Sequence, residues 1–106
     1  MTNAMLPPGL TAYKRTPTFD QDSLPAGLRR EHRTKANVWA LIHVVEGSLR
    51  YRILEPFSEE ILTVGTPGVV RPEQAHEVEP LGAMRMYVEF FAERRIEGGP
   101  HTTQVL

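Results

Sequence analysis

Val38-Trp39-Ala40-Leu41-Ile42-His43-Val44-Val45-Glu46-Gly47-Ser48-Leu49-Arg50-Tyr51 is two β-rich runs joined at Glu46-Gly47. The first alternates Val38/Ala40/Ile42/Val44 with Trp39/Leu41/His43/Val45. Both sets are largely apolar, which predicts a strand covered on both faces. Glycine takes a positive φ without steric cost, so Glu46-Gly47 predicts a tight hairpin turn. The return run, 48–54, sets Leu49/Tyr51/Ile53 against Arg50/Arg52, the pattern of a half-exposed strand. Trp39, Leu41 and Val45 are either core or, left bare, a patch for dimerisation. His43 shares that face and reads as packing or interface.

Short strands and turn signals continue on either side. Residues 11–19 favour an extended edge strand in which Pro17 is tolerated. Asp22-Ser23 predicts the cap of one short helical turn, closed by Pro25 and Gly27. Residues 29–37 are polar and irregular, and 55–60 read as a loop. Strands are predicted at 61–64, 69–71, 76–78 and 85–91, the last opposing Met86/Val88/Phe90 to Tyr87/Glu89/Phe91. Many short strands between turns indicate an all-β sandwich or barrel, not a βαβ fold. The expected organisation is a leader over 1–10, one β-barrel domain over 11–92 and a tail over 93–106.

Composition narrows the function. The chain has 106 residues, enough for one small core. Twelve Lys and Arg against 13 Asp and Glu give a net charge of −1, so nucleic acid and anionic membranes are not expected partners. Arg29, Arg30, Arg33 and Lys35 form a basic stretch, interrupted by Glu31, that reads as a solvated loop face. There is no cysteine, which excludes disulfides and thiolate metal sites. With neither a signal-peptide pattern nor a long apolar run, the expected location is cytoplasmic. No nucleophile elbow, P-loop or dinucleotide fingerprint is present.

Gly65, Pro72 and His76 resemble the second motif of the cupins, small jelly-roll barrels, in which a histidine follows a glycine by eleven residues. Glu73 stands where that motif has its second glycine. The first cupin motif would run from about Gly27 to Gly47. Its metal-binding glutamate falls at Ala40 and its histidines near Arg33 and Lys35, whereas the actual histidine is His32. Glu31-His32-Arg33-Thr34-Lys35, Glu46-Gly47-Ser48-Leu49-Arg50-Tyr51 and His76-Glu77-Val78-Glu79-Pro80-Leu81 resemble a small cupin family of unknown function. It is similar to the amino-terminal domain of tellurite-resistance methyltransferases. The likeness covers about residues 10–92, which carry no Gly-rich nucleotide loop, so methyl transfer itself is not expected of them.

The resemblance implies a cupin-type jelly-roll barrel, a divalent metal (zinc, with iron or nickel as alternatives) and a stress-related or tellurite-resistance context. His32 and His76 are the expected metal ligands, since neutral imidazole binds such ions well. Two imidazoles make a weak site, and Glu89 is the candidate third donor. Lys35 is placed to hold a small anion at the barrel mouth. Glu79 is a further candidate contact if the Pro80 turn redirects it, and Tyr51 is another. Glu73 reads as a turn residue. The leading reading is a cupin without strong catalytic activity that binds a metal, with a small anion as a further candidate ligand, as a homodimer. The alternatives are a metal-dependent cupin oxygenase or isomerase acting on a small molecule, and a metal-free dimerisation module.

Overall fold

A computed structural model describes residues 6–93. They form eight strands: β1 (Leu10–Arg15), β2 (Phe19–Asp20), β3 (Trp39–Glu46), β4 (Ser48–Leu54), β5 (Phe57–Thr63), β6 (Gly68–Val70), β7 (His76–Pro80) and β8 (Arg85–Glu93). One 3-10 turn, Ala26–Arg29, aside, the described residues are all-β, as expected. One antiparallel sheet runs β1-β8-β3-β6 with β2 also on β8, and the other runs β5-β4-β7. Ala40↔Val70 and Ile42↔Val88 fix the register around β3, and Tyr51↔Val78 fixes it between β4 and β7. Most of the predicted tail lies outside the described residues. No helix among them is long and apolar enough to cross a membrane.

Gly47 does not make a hairpin. Both edges of β3 are occupied, by β8 and β6, so β4 leaves for the second sheet and pairs with β5 and β7. The chain turns this corner on one residue, Gly47, at φ +75°. No strand ladder among the described residues joins the sheets into a closed barrel. The isolated backbone bridge between His32 and His76 extends the smaller sheet beyond β7.

The expected double cover of β3 is also corrected. Ala40, Ile42 and Val44 face the second sheet and are buried, whereas Trp39, Leu41 and His43 are only half-buried and Val45 is exposed. The side chains of a strand alternate faces, and among the described residues only one face of β3 meets another layer. Its core partners are Met86, Val88 and Phe90 from β8, Leu49 and Tyr51 from β4, and Leu62 from β5.

Local chemistry explains the remaining departures. The edge strand breaks at Pro17, and Thr16 bridges the gap by exchanging hydrogen bonds with the Val88 backbone (2.9 and 3.0 Å). Asp22-Ser23 caps no helix; instead Asp20 organises a turn there, its Oδ1 accepting from the N–H groups of Asp22 and Ser23 at 2.8 Å. The helical turn comes later, at Ala26–Arg29. Strand β5 begins four residues earlier than expected. Its polar Ser58-Glu59-Glu60 is held opposite β4, where Glu59 pairs with Arg52 at 3.2 Å.

Candidate functional site

The two sheets enclose a cavity of about 230 Å³. Its apolar wall comes from the inward positions Ala40 and Ile42 of β3, Val70 of β6, Val78 of β7, and Met86, Val88 and Phe90 of β8. The polar wall comes mostly from one short segment, His32-Arg33-Thr34-Lys35, together with His76. The cavity is therefore amphiphilic.

The meeting of the two histidines follows from the backbone. His32 N–H donates to the His76 carbonyl at 2.9 Å, and His76 N–H donates to the His32 carbonyl at 3.0 Å. Residues that exchange both bonds lie directly opposite each other, and their side chains leave on the same face. The rings accordingly stand 5.3 Å apart, edge to face. His76 opens β7 and is 5% exposed, with its Nδ1 2.9 Å from the Gln74 carbonyl oxygen. The Nδ1 of His32 is buried without a partner.

Burial holds both imidazoles below the usual histidine pKa, and for His76 the neighbouring His32 adds to the effect. The folded protein thus keeps them neutral where the unfolded chain, with a histidine pKa of about 6.5, takes up protons. The unfolded state binds more protons in that window, so stability must fall as pH drops from about 6.5 toward the depressed folded values. For His76 the slope is at most about 1.4 kcal/mol per pH unit. Urea midpoints measured from pH 7.5 to 5.5 are expected to decline. His76→Phe should flatten the decline, and an unchanged slope in that variant would refute the assignment.

The other sequence candidates separate by face. Lys35 lines the cavity, and among the described residues its ammonium has no ion-pair partner. Arg33 lines it too, anchored by Glu31 at 2.7 Å and by the Glu73 carbonyl at 3.1 Å. Glu89 does not reach it. Val88 and Phe90 point inward, so Glu89 points outward and meets His43 Nε2 at 2.9 Å. His43 in turn stacks on Tyr87, which lies under the Arg15 guanidinium. Glu79 stays on the outer face of β7, paired with Arg52 at 2.8 Å, because Pro80 continues the strand instead of turning it. Tyr51 does not line the cavity. It is buried behind His76, ring edge to ring face at 6.0 Å, and its hydroxyl donates to the Val69 carbonyl. Burial raises its phenol pKa, so it stays protonated.

Thr34 was not anticipated. Its hydroxyl donates to the Val38 carbonyl at 2.8 Å and accepts the Glu73 N–H at 3.2 Å, tying the polar segment to the turn before His76. Glu73 is a turn residue, as expected, and adopts φ +58°, a glycine-type conformation at the motif's glycine position. Its bond to Val38 is local, but the partner that gives Thr34 its role, Glu73, lies 39 residues away and is brought to it by the fold.

Among the described residues, two imidazoles are the only metal-type donors that line the cavity. Among the described residues no cluster of three or more His, Cys, Asp or Glu could hold an ion. A firm divalent site uses at least three protein ligands, and these two residues alone do not fit one.

The chain is 31% identical over 77 residues to a probable S-adenosyl-L-methionine-dependent methyltransferase, TehB, of Haemophilus influenzae (strain Rd). The match covers 68% of this chain but 27% of that protein. A crystal structure of Haemophilus influenzae TehB superposes with a TM-score of 0.74 at 28% identity, covering 81% of this chain and 32% of that one. A crystal structure of an Escherichia coli K12 protein gives 0.80 at 21% identity over 86% of this chain and 98% of that one, a likeness of fold. This chain thus spans about a quarter of the curated methyltransferases it resembles. The TehB-like domain model matches residues 14–88, and the chain belongs to the TehB-like domain family.

Proposed function

We propose that this TehB-like domain is a cupin-type jelly roll that binds a small anionic molecule in its inter-sheet cavity, in the context of tellurite resistance. The topological part rests on strand order. β1-β8-β3-β6 lies opposite a row made of the His32 segment, β7, β4 and β5, and the chain changes layer between β3 and β4, β5 and β6, β6 and β7, and β7 and β8.

The binding part rests on one observation: two neutral imidazoles with unused nitrogen valences share an amphiphilic cavity with Arg33 and Lys35. A buried polar atom without a partner costs about 1–3 kcal/mol, which a ligand that satisfies it returns. The cations supply attraction for an anionic head. The volume is several times the ~30 Å³ of one water and below the usual range for drug-sized ligands, so the occupant is small. A tightly held resident zinc is not part of the proposal, because the donor set falls short of three. An ion could join only with a ligand that brings its own donors. The domain itself carries no proposed reaction, and methyl transfer is left to the remainder of the longer relatives.

Calorimetric titration with tellurite, in chelator, provides the test. Saturable binding is expected, weakened about tenfold (~1.4 kcal/mol) by Lys35→Ala. Absence of binding, or equal binding by that variant, would count against the proposal. Stoichiometric zinc in untagged protein, lost in His76→Ala, would replace it with the metal reading.

A further inference from the structure

The structure assigns His76 as a hydrogen-bond acceptor toward the cavity. We propose that its ligand is an oxyacid monoanion that still carries one O–H, which donates to His76 Nε2 while its charged oxygens face Arg33 and Lys35. The inference rests on the cavity being the anion site and adds the protonation state of the ligand.

The geometry that carries it is the 2.9 Å contact between His76 Nδ1 and the Gln74 carbonyl oxygen. A carbonyl oxygen can only accept, so Nδ1 must hold the ring proton in this contact. A neutral imidazole has one N–H, and with it committed to Gln74 the Nε2 atom presents a bare lone pair. Among the described residues no group is hydrogen-bonded to that lone pair, and with the residue 5% exposed it is open to a ligand in the cavity. Its Nδ1–H bond points back along the chain, and the ring sits in the cavity lining beside His32.

An anion stripped of all protons would therefore set oxygen lone pairs against a nitrogen lone pair. A singly protonated oxyanion instead completes the donor–acceptor pairing. Charge alone predicts the reverse order, because Arg33 and Lys35 attract a dianion more strongly than a monoanion. The two expectations separate cleanly.

Selenite retains one proton at neutral pH, and sulfate, of the same general size, retains none. The full chain, kept in chelator, is titrated with each while ring ¹⁵N resonances of the histidines are followed. Expected are an Nδ1–H tautomer for His76 in the free protein and a selenite-induced shift of Nε2. Sulfate should bind at least tenfold more weakly, and selenite should release as rising pH removes its last proton. His76→Phe should abolish the preference for selenite. Should that variant fail to fold, the tautomer and the two anions on the wild-type protein still decide. An Nε2–H tautomer, or sulfate binding as tightly as selenite with both rings perturbed, overturns the donor requirement and leaves the anion cavity standing. If neither anion perturbs His32 or His76, both ideas fail.

Discussion

Gly47→Ala is expected to destabilise the domain by about 3 kcal/mol, while Gly65→Ala, at a similarly positive φ, costs only about 1 kcal/mol. Both glycines occupy the left-handed region, at φ +75° and +89°. An L-residue there pays roughly 1–2 kcal/mol, partly offset by about 0.4–1 kcal/mol from the less flexible unfolded chain. The difference lies in the surroundings. A Cβ on Gly65 meets nothing within 4 Å. A Cβ on Gly47 collides with the Ala83 carbonyl oxygen and sits 3.0 Å from Met84 Cα, backbone that cannot rotate away. Forcing it in displaces Met84, which is 1% exposed in the core, and such overpacking typically costs a further 1–3 kcal/mol. Urea unfolding of the two variants measures the contrast. Equal midpoints would mean that the one-residue corner between the sheets is not packed as described.

The same residue shows where sequence reading reaches its limit. A hairpin and a corner both need a residue with positive φ between two apolar runs, so Glu46-Gly47 signals a reversal without saying which partner the next strand takes. That choice depended on β8 and β6 claiming both edges of β3, about 40 and 30 residues away in the chain. Strands β4 and β8 were legible because alternation is local. The face that β8 buries was not, since Phe90 and Phe91 both argue for the interior, and Glu89 was misassigned with them. The first residues of β5, 57–60, read as loop because none of their side chains is buried and Glu59 finds its arginines only across the ladder. The punctuation Gly65…Pro72…His76 located one half of the site. The other half, His32, became part of it through a backbone bridge that no local pattern encodes.

Residue 40 offers the sharpest test of how this site differs from the cupin motif that the sequence resembles. Ala40 is 1% exposed and lines the same cavity as both imidazoles, at the position where the resemblance places a metal-binding glutamate. Ala40→Glu is expected to cost the metal-free domain roughly 3 kcal/mol or more, since a carboxyl group is being pushed into an apolar wall. It relieves part of that cost by staying protonated, with a raised pKa. Zinc should then reverse the loss. The new carboxylate and two neutral imidazoles make the three-ligand set that the natural residues lack, and ion binding to the folded state alone returns about 2.7 kcal/mol at 100 times Kd. Because the carboxyl must ionise to coordinate, zinc uptake should release protons and strengthen with pH. Thermal denaturation with and without zinc measures this. A zinc-dependent gain is expected in Ala40→Glu, and little or none in wild type, in Ala40→Gln, or when His76→Ala is added. If Ala40→Glu responds no more than Ala40→Gln, the imidazoles and residue 40 do not converge on one point, and the cavity lacks the geometry of a three-ligand metal site.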